Sequence, residues 1–392
     1  MSFAFPTKPL AEIADAIDYG VTASASTIDT GTKFLRITDI QDGYVDWATV
    51  PYCDAPPAKL LSAALSDGDI VFARTGATTG KSFLIKSPPR GAVFASYLIR
   101  VKPSSRIYPA YLAHFFQSQG YWSQIQKRTQ GAAQGGVNAT SLSEIAIPLP
   151  PLPEQRRVAA ILDKADALRR KRKRAIGLLD SLTQSIFLEM FGDPATNPKC
   201  LERIALGDVI HSASDGRHVS PEYSETGIPF LSTRHIQRGR IVWDDLKFIS
   251  SKDAAVHWKK CRPQAGDILY TKGGTTGLAA VVDTDKEFAV WVHVALLKTD
   301  VSKIEPYLLE AMLNSEFCYA QSQRYTHGIA NRDLGLKRMV KIEMYLPSMA
   351  EQKQFVKATG VLRRMRLQVE QVSTGEAHLF SSLQSRAFSG QL

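Results

Sequence analysis

Two short stretches rich in glycine and threonine are the parts of this sequence best suited to touching a ligand. The first, Gly68-Asp-Ile-Val-Phe-Ala-Arg-Thr-Gly-Ala-Thr-Thr-Gly80, sets Arg74, Thr75, Thr78 and Thr79 close to Lys81. The second, Gly266-Asp-Ile-Leu-Tyr-Thr-Lys-Gly-Gly-Thr-Thr-Gly277, carries Lys272, Thr275 and Thr276. Glycine lets a backbone approach a ligand closely, and threonine hydroxyls, free N–H groups and a cation suit phosphate oxygens. A pair of tight hairpin turns with no ligand would show the same composition. Arg36 and Thr38, and likewise Thr233, Arg234 and His235, sit at what read as strands and carry donors for base edges. A solvated strand face is the plain alternative. The polar loops Arg128–Asn138 and Arg324–Arg332 add Gln134, Asn138, Asn331 and Arg332 as hydrogen-bonding groups.

Catalytic patterns are missing. There is no G-x-x-x-x-G-K-[ST] phosphate cradle, no G-x-S-x-G nucleophile elbow and no Asn/Asp-Pro-Pro-aromatic clamp for a methylated amine. The 8 histidines are dispersed without metal-ligand spacing, so no metal site is expected. The net charge of +10 over 392 residues favours a polyanionic partner, nucleic acid before membrane. Cys53, Cys200, Cys261 and Cys318 are scattered, which fits free thiols in a reducing compartment. No apolar run is long enough to span a bilayer, and a cytoplasmic protein is the expectation. These features together favour a binding protein over an enzyme.

The elements that must hold those loops come next. From about Glu154 to Phe191, Val158, Ile161, Ala165, Leu168, Ala175, Leu179, Leu182 and Ile186 recur at spacings of three and four, with Arg172 on the stripe. This is the seam of a coiled-coil helix some 35 residues and ~50 Å long. Four prolines between Pro148 and Pro153 mark its start, and Gly192 and Pro194 its end. A second such helix, from Ser348 to about Phe388, carries Phe355, Ala358, Leu362, Met365, Val369, Val372, Leu379 and Leu383. Ser348-Met-Ala-Glu351 reads as its capping box. An antiparallel pairing of the two is expected, and a pairing of Arg172 with Glu376 would fix its register. The basic run Arg169–Arg174 is spread around the rod by helical spacing, facing phosphates, solvent or an acidic partner.

The sequence is also written twice, with a period of about 197 residues. Phe34-Leu-Arg-Ile-Thr-Asp-Ile40 answers Phe230-Leu-Ser-Thr-Arg-His-Ile236, and the two glycine loops answer one another with one residue deleted. Tyr108-Pro-Ala-Tyr-Leu112 answers Glu305-Pro-Tyr-Leu308, and Glu154-Gln155 answers Glu351-Gln352. The expected organisation is a head at 1–150, a helix at 151–191, a second head at 192–347 and a second helix at 348–392. Each head reads as mixed α and β, α/β or α+β, and the whole as a pseudo-twofold repeat. The framework blocks match between halves while the tips differ, as in Arg74 against Lys272. Two similar heads with different tips would read two different short sequences.

This arrangement resembles the specificity subunit of type I restriction-modification enzymes. The resemblance spans nearly the whole chain and rests on Ile147-Pro-Leu-Pro-Pro-Leu-Pro-Glu-Gln155 before a long helix, its weaker copy at Tyr345–Gln352, and the Gly-Asp-Ile loop ending at Lys81. Leu278 stands where the second loop would carry that lysine. The resemblance implies two target-recognition heads, each binding one half of a bipartite double-stranded DNA site. It implies that the helices dock two modification subunits, which bind S-adenosylmethionine, and that a restriction subunit using ATP and magnesium joins for cleavage. The chain itself would be non-catalytic and hold no cofactor. Heads ~50 Å apart would cover about 15 base pairs, with a spacer of about five to eight. Two other classes stay open on the residues alone: a coiled-coil scaffold with non-specific DNA affinity, and a single-chain nuclease or methyltransferase with divergent motifs.

Overall fold

The central run Ile70-Val-Phe-Ala73 is apolar at every position, so a strand made of it must be covered on both faces. It is covered. The computed structural model describes residues 5–41, 43–76, 78–129, 137–329 and 331–392, with backbone alone at 128–129 and 371–378. Contacts divide the chain into two units: Met1–Arg172 with Gly375–Leu392, and Lys173–Thr374.

In the first unit an antiparallel sheet has the order Ala14–Tyr19, Leu98–Pro103, Ile70–Ala73, Ser82–Leu84. Ile70 and Phe72 join one core with Leu112, Phe116 and Tyr121, while Val71 joins another with Leu35 and Phe94. The second unit repeats the order with Ile210–Asp215, Val294–Thr299, Ile268–Thr271 and Ala279–Val281. Ile268 and Tyr270 again face one core, and Leu269 the other. Each head also has a short parallel pair, Phe34–Leu35 with Val93–Phe94 and Phe230–Leu231 with Ala289–Val290. Short helices follow the last sheet strand in each, Pro109–Phe115 and Pro306–Leu313, both opened by a proline at the first helical position. The chain is thus an α+β protein with a duplicated head.

The central helix spans Leu152–Phe191 and the C-terminal helix Met349–Phe388, 40 residues each, or ~60 Å. Gly192, at φ +78°, ends the first in the left-handed conformation. Ser348 and Glu351 form the expected capping box: the Ser348 amide donates to Glu351 Oε2 at 2.9 Å and the Glu351 amide to Ser348 Oγ at 3.4 Å. The Ser348 hydroxyl also donates to Glu351 Oε2 at 2.7 Å, and this bond, with that of the amide, holds the Glu351 carboxyl below its usual range.

Within each unit the two helices run antiparallel. In the first, Arg157 donates to the Leu392 carbonyl and Arg169 lies over the Phe380 ring. In the second, Asp180 pairs with Arg366 at 3.0 Å, and Phe187 and Phe191 pack on Phe355. The seam differs from the expected one. Val158, Ala165, Arg172, Leu179 and Ile186 are buried or half-buried as expected, and so are Ile161, Leu362, Val369 and Leu383. Leu168 and Leu182 are not; they are 52% and 47% exposed. Met365 and Leu379 are likewise turned out, at 49% and 65%. One residue later, Thr183 and Arg366 are half-buried and Phe380 is buried, while Arg169 is itself 52% exposed. The reason is physical. Arg169 covers an aromatic ring with its guanidinium, and Thr183 satisfies its hydroxyl on the Leu179 carbonyl. A satisfied hydroxyl lets Thr183 occupy a seam that a search for leucines assigns elsewhere. The side chains of Val372 and of Glu376, the expected partner of Arg172, lie outside the described residues.

Candidate nucleic-acid interface

The glycine loops are held by main-chain bonds that match between heads. The Arg74 amide donates to the Tyr97 carbonyl at 3.1 Å, and the Lys272 amide to that of His293 at 2.9 Å. The Val137 amide donates to the Arg74 carbonyl at 3.1 Å, and the Leu334 amide to that of Lys272 at 2.7 Å. Each loop closes on a glycine in the left-handed region, Gly80 at φ +80° and Gly277 at φ +92°. A Cβ at Gly80 would press on the Trp122 ring, and one at Gly277 would collide with Ser322 Oγ, so glycine is needed on two grounds.

The side chains on these frames meet different fates. In the first head Arg74, Thr75 and Lys81 are exposed, and Thr78 and Thr79 half-buried. The Arg74 guanidinium lies 5.1 Å from the centre of the Tyr19 ring, and Tyr97, 68% exposed, stands beside the loop. Tyr19 and Tyr97 were not legible as site residues; Tyr19 ends a sheet strand and Tyr97 lies in a connection, and neither belongs to a repeated motif. In the second head Lys272 is 5% exposed, its ammonium between Asp215 at 3.2 Å and Asp333 at 3.1 Å. Burial pushes the Asp215 carboxyl up, but hydrogen bonds from Lys260 and Lys272 outweigh it and leave it below the usual range. Thr276 is buried and shares a hydrogen bond with Thr326. Lys272 and Thr276 therefore build the loop rather than face outward. Thr275 is exposed.

The remaining candidates divide in the same way. Arg36, Thr38 and the Thr233–His235 group lie in tight single turns after a strand, not in strands as expected. Arg36 forks onto Asp39 at 2.7 and 3.1 Å, which raises its pKa, while Thr38 is exposed. His235 is buried, its Nδ1 accepting from the Ser232 amide at 2.8 Å, and burial lowers its pKa. Arg234 is exposed and paired with Asp245 at 2.8 Å. Asn138 caps the helix Ala139–Ser143, accepting from the Ser141 amide at 2.7 Å. Asn331 and Arg332 are exposed, with Arg332 donating to Gln323 at 2.5 Å. Gln134 lies outside the described residues.

Gln155 and Gln352 explain the repeated Glu-Gln. The Gln155 Oε1 accepts from the Tyr108 amide at 2.7 Å and its Nε2 donates to the Pro150 carbonyl at 2.8 Å. Gln352 repeats this with the Glu305 amide at 2.9 Å and the Pro347 carbonyl at 3.0 Å. Each buried amide locks the first turn of a long helix onto its own head.

Residues 26–177 and 198–367 each match the family of the type I restriction modification DNA specificity domain. The chain belongs to that family. Two copies of the specificity domain thus coincide with the duplicated heads, and recognition of a DNA target is the role the family implies. The MjaVIII specificity subunit of Methanocaldococcus jannaschii is 20% identical over 342 residues, covering 81% of this chain and 79% of the relative. The EcoKI specificity subunit of Escherichia coli is 23% identical over 262 residues, covering 62% and 55%. The solved type I S subunit of M. genitalium aligns over 99% of this chain and 96% of its own, with a TM-score of 0.56 and 12% identity, a likeness of fold. The two curated relatives are named as specificity subunits of type I restriction enzymes. Among the described residues no helix is long and apolar enough to cross a membrane, and no cluster of ligands could hold a metal ion.

Proposed function

We propose that this specificity chain reads a split DNA target, one short block per head, and that its paired helices set the gap and dock two modification subunits. The duplicated loop frame with unlike outward side chains is the observation that carries the reading. Arg74, Thr75, Thr78, Thr79 and Lys81 would serve one half-site, together with Thr38. Thr233, Arg234, Thr275, Asn331 and Arg332 would serve the other. Leu168, Leu178 and Leu182 on the central helix, and Val361, Met365 and Leu379 on the C-terminal helix, are exposed apolar residues off the seam and suit a helical partner. S-adenosylmethionine belongs in this reading to the modification subunits, and ATP with magnesium to a restriction subunit.

The deciding experiment maps N6-methyladenine across the genome of cells with this chain and cells without it. Two short blocks around a fixed gap that vanish with the deletion are expected; methylation unaltered in every motif overturns the reading. Inserting one heptad into both helices should widen the gap by about three base pairs. If each head holds about five phosphates, log affinity falls with log salt at a slope of about −9.

A further inference from the structure

Arg74 differs from the other arginines at the tips of the heads. Arg36 is forked onto Asp39, Arg234 onto Asp245, and Arg332 is tied to Gln323. Arg74 has no carboxylate within ion-pair distance among the described residues, and it is exposed. It is nonetheless held. Its main chain is bonded on both sides, N–H to Tyr97 and carbonyl from Val137, and its guanidinium rests on the Tyr19 ring. The ring is itself fixed: Tyr19 Oη accepts from the Ala139 amide at 3.1 Å, at the start of the helix that Asn138 caps. A planar fork of donors, stacked, oriented and uncommitted, loses little side-chain freedom on binding and keeps its full charge. Its geometry matches one base edge, the O6 and N7 acceptors of guanine in the major groove.

We infer that Arg74 reads a guanine in the half-site of the first head, with Tyr19 as the residue that positions it. The inference rests on the DNA reading above and sharpens it to one base. It also predicts an asymmetry. Lys272, on the equivalent backbone, is buried between two carboxylates, so the second half-site owes no base to that position.

The test selects duplexes from a random library with the full-length chain, wild type and Arg74→Ala, Arg74→Lys, Tyr19→Ala and Tyr19→Phe. Wild type should enrich a split motif with an invariant guanine in one block. Replacing that guanine by 7-deazaguanine, which lacks the N7 acceptor, should weaken wild type by about tenfold and leave R74A unchanged. R74K should lose the guanine preference and keep the rest of the motif. Y19A should relax the preference by about threefold, and Y19F, which keeps the ring but loses the Oη anchor, should relax it less than Y19A. A uniform loss of affinity in R74A with the motif intact would mean a phosphate contact and overturn the inference while leaving the split-target reading standing. A wild-type chain that enriches no split motif overturns both.

Discussion

The loop of the first head and the loop of the second share a backbone and part company at one side chain. Arg74 and Lys272 make corresponding main-chain bonds, yet one cation is in solvent and the other is buried. The cause lies outside the loops. In the second head Asp333 precedes Leu334 and Asp215 ends a sheet strand, and both carboxylates close on the ammonium. In the first head Gly136 precedes Val137, and Tyr19, paired with Ile99 as Asp215 is with Ala295, stands in place of the strand-end carboxylate. A cation folds inward when two carboxylates wait for it, because burial without them costs far more than the pair returns. Equivalent position is therefore no guide to equivalent role.

The largest expected contrast between the heads concerns Glu310, which stands where the first head has Ala113. Burial pushes its carboxyl up to about 7, against the Val281 amide and the Arg363 and Arg366 charges, which pull it down. A carboxyl raised in the folded state stabilises it fully below the ordinary carboxylate range and loses that contribution as pH rises through about 7. The second unit should thus weaken by about 3 kcal/mol between pH 4.5 and 7. Urea unfolding across pH should lose this dependence in Glu310→Gln; an unchanged profile would show that Glu310 is not its source.

Next in size, Lys272→Met should destabilise the second unit by roughly 2 kcal/mol, less than the ~3–5 kcal/mol of an isolated buried pair because Lys260 still faces Asp215. Arg74→Met should change stability by no more than about 0.5 kcal/mol and act on DNA binding instead. Equal losses of stability in the two variants would break the comparison. Where the frames agree, the effects should agree: Gln155→Ala and Gln352→Ala should each cost about 1–2 kcal/mol by stranding a buried amide and a carbonyl. A large difference in denaturation midpoint between them would show that the two joints are not equivalent. Smallest of all, Leu168→Ser and Met365→Ser should leave stability within about 0.5 kcal/mol while weakening capture of a modification subunit in pull-down. A marked loss of thermal stability in either would return that residue to the seam.

Much of the architecture was open to reading in the chain alone, because it rests on local signals. The duplicated blocks, the proline-marked helix starts and the Ser348–Glu351 cap are each set by residues a few positions apart. The two long helices followed from apolar spacing, but Leu168, Leu182, Met365 and Leu379 were placed on a seam they do not enter. Spacing of leucines does not register that Thr183 and Arg366 can fill an interface. The site was harder. Asn138 and His235 are polar residues at turns, where a cap and a contact look alike in sequence. Lys272 was unreadable for another reason: its two partners lie 57 and 61 positions away along the chain, as 272 less 215 and 333 less 272 give. Only the fold brings them together.

The main-chain frame of the two loops bears on how such a protein can change over generations. Among the described residues no buried partner depends on the Arg74 side chain, so a substitution there meets little resistance from folding. If Arg74 reads a base as proposed, the first head can drift to a new target one codon at a time. At Lys272 the same step strands two carboxylates, so that position can move only if Asp215 and Asp333 move with it. On the proposed split-target reading, one half of the address is free to mutate, and at this point the other half is kept still by the protein's own need to fold.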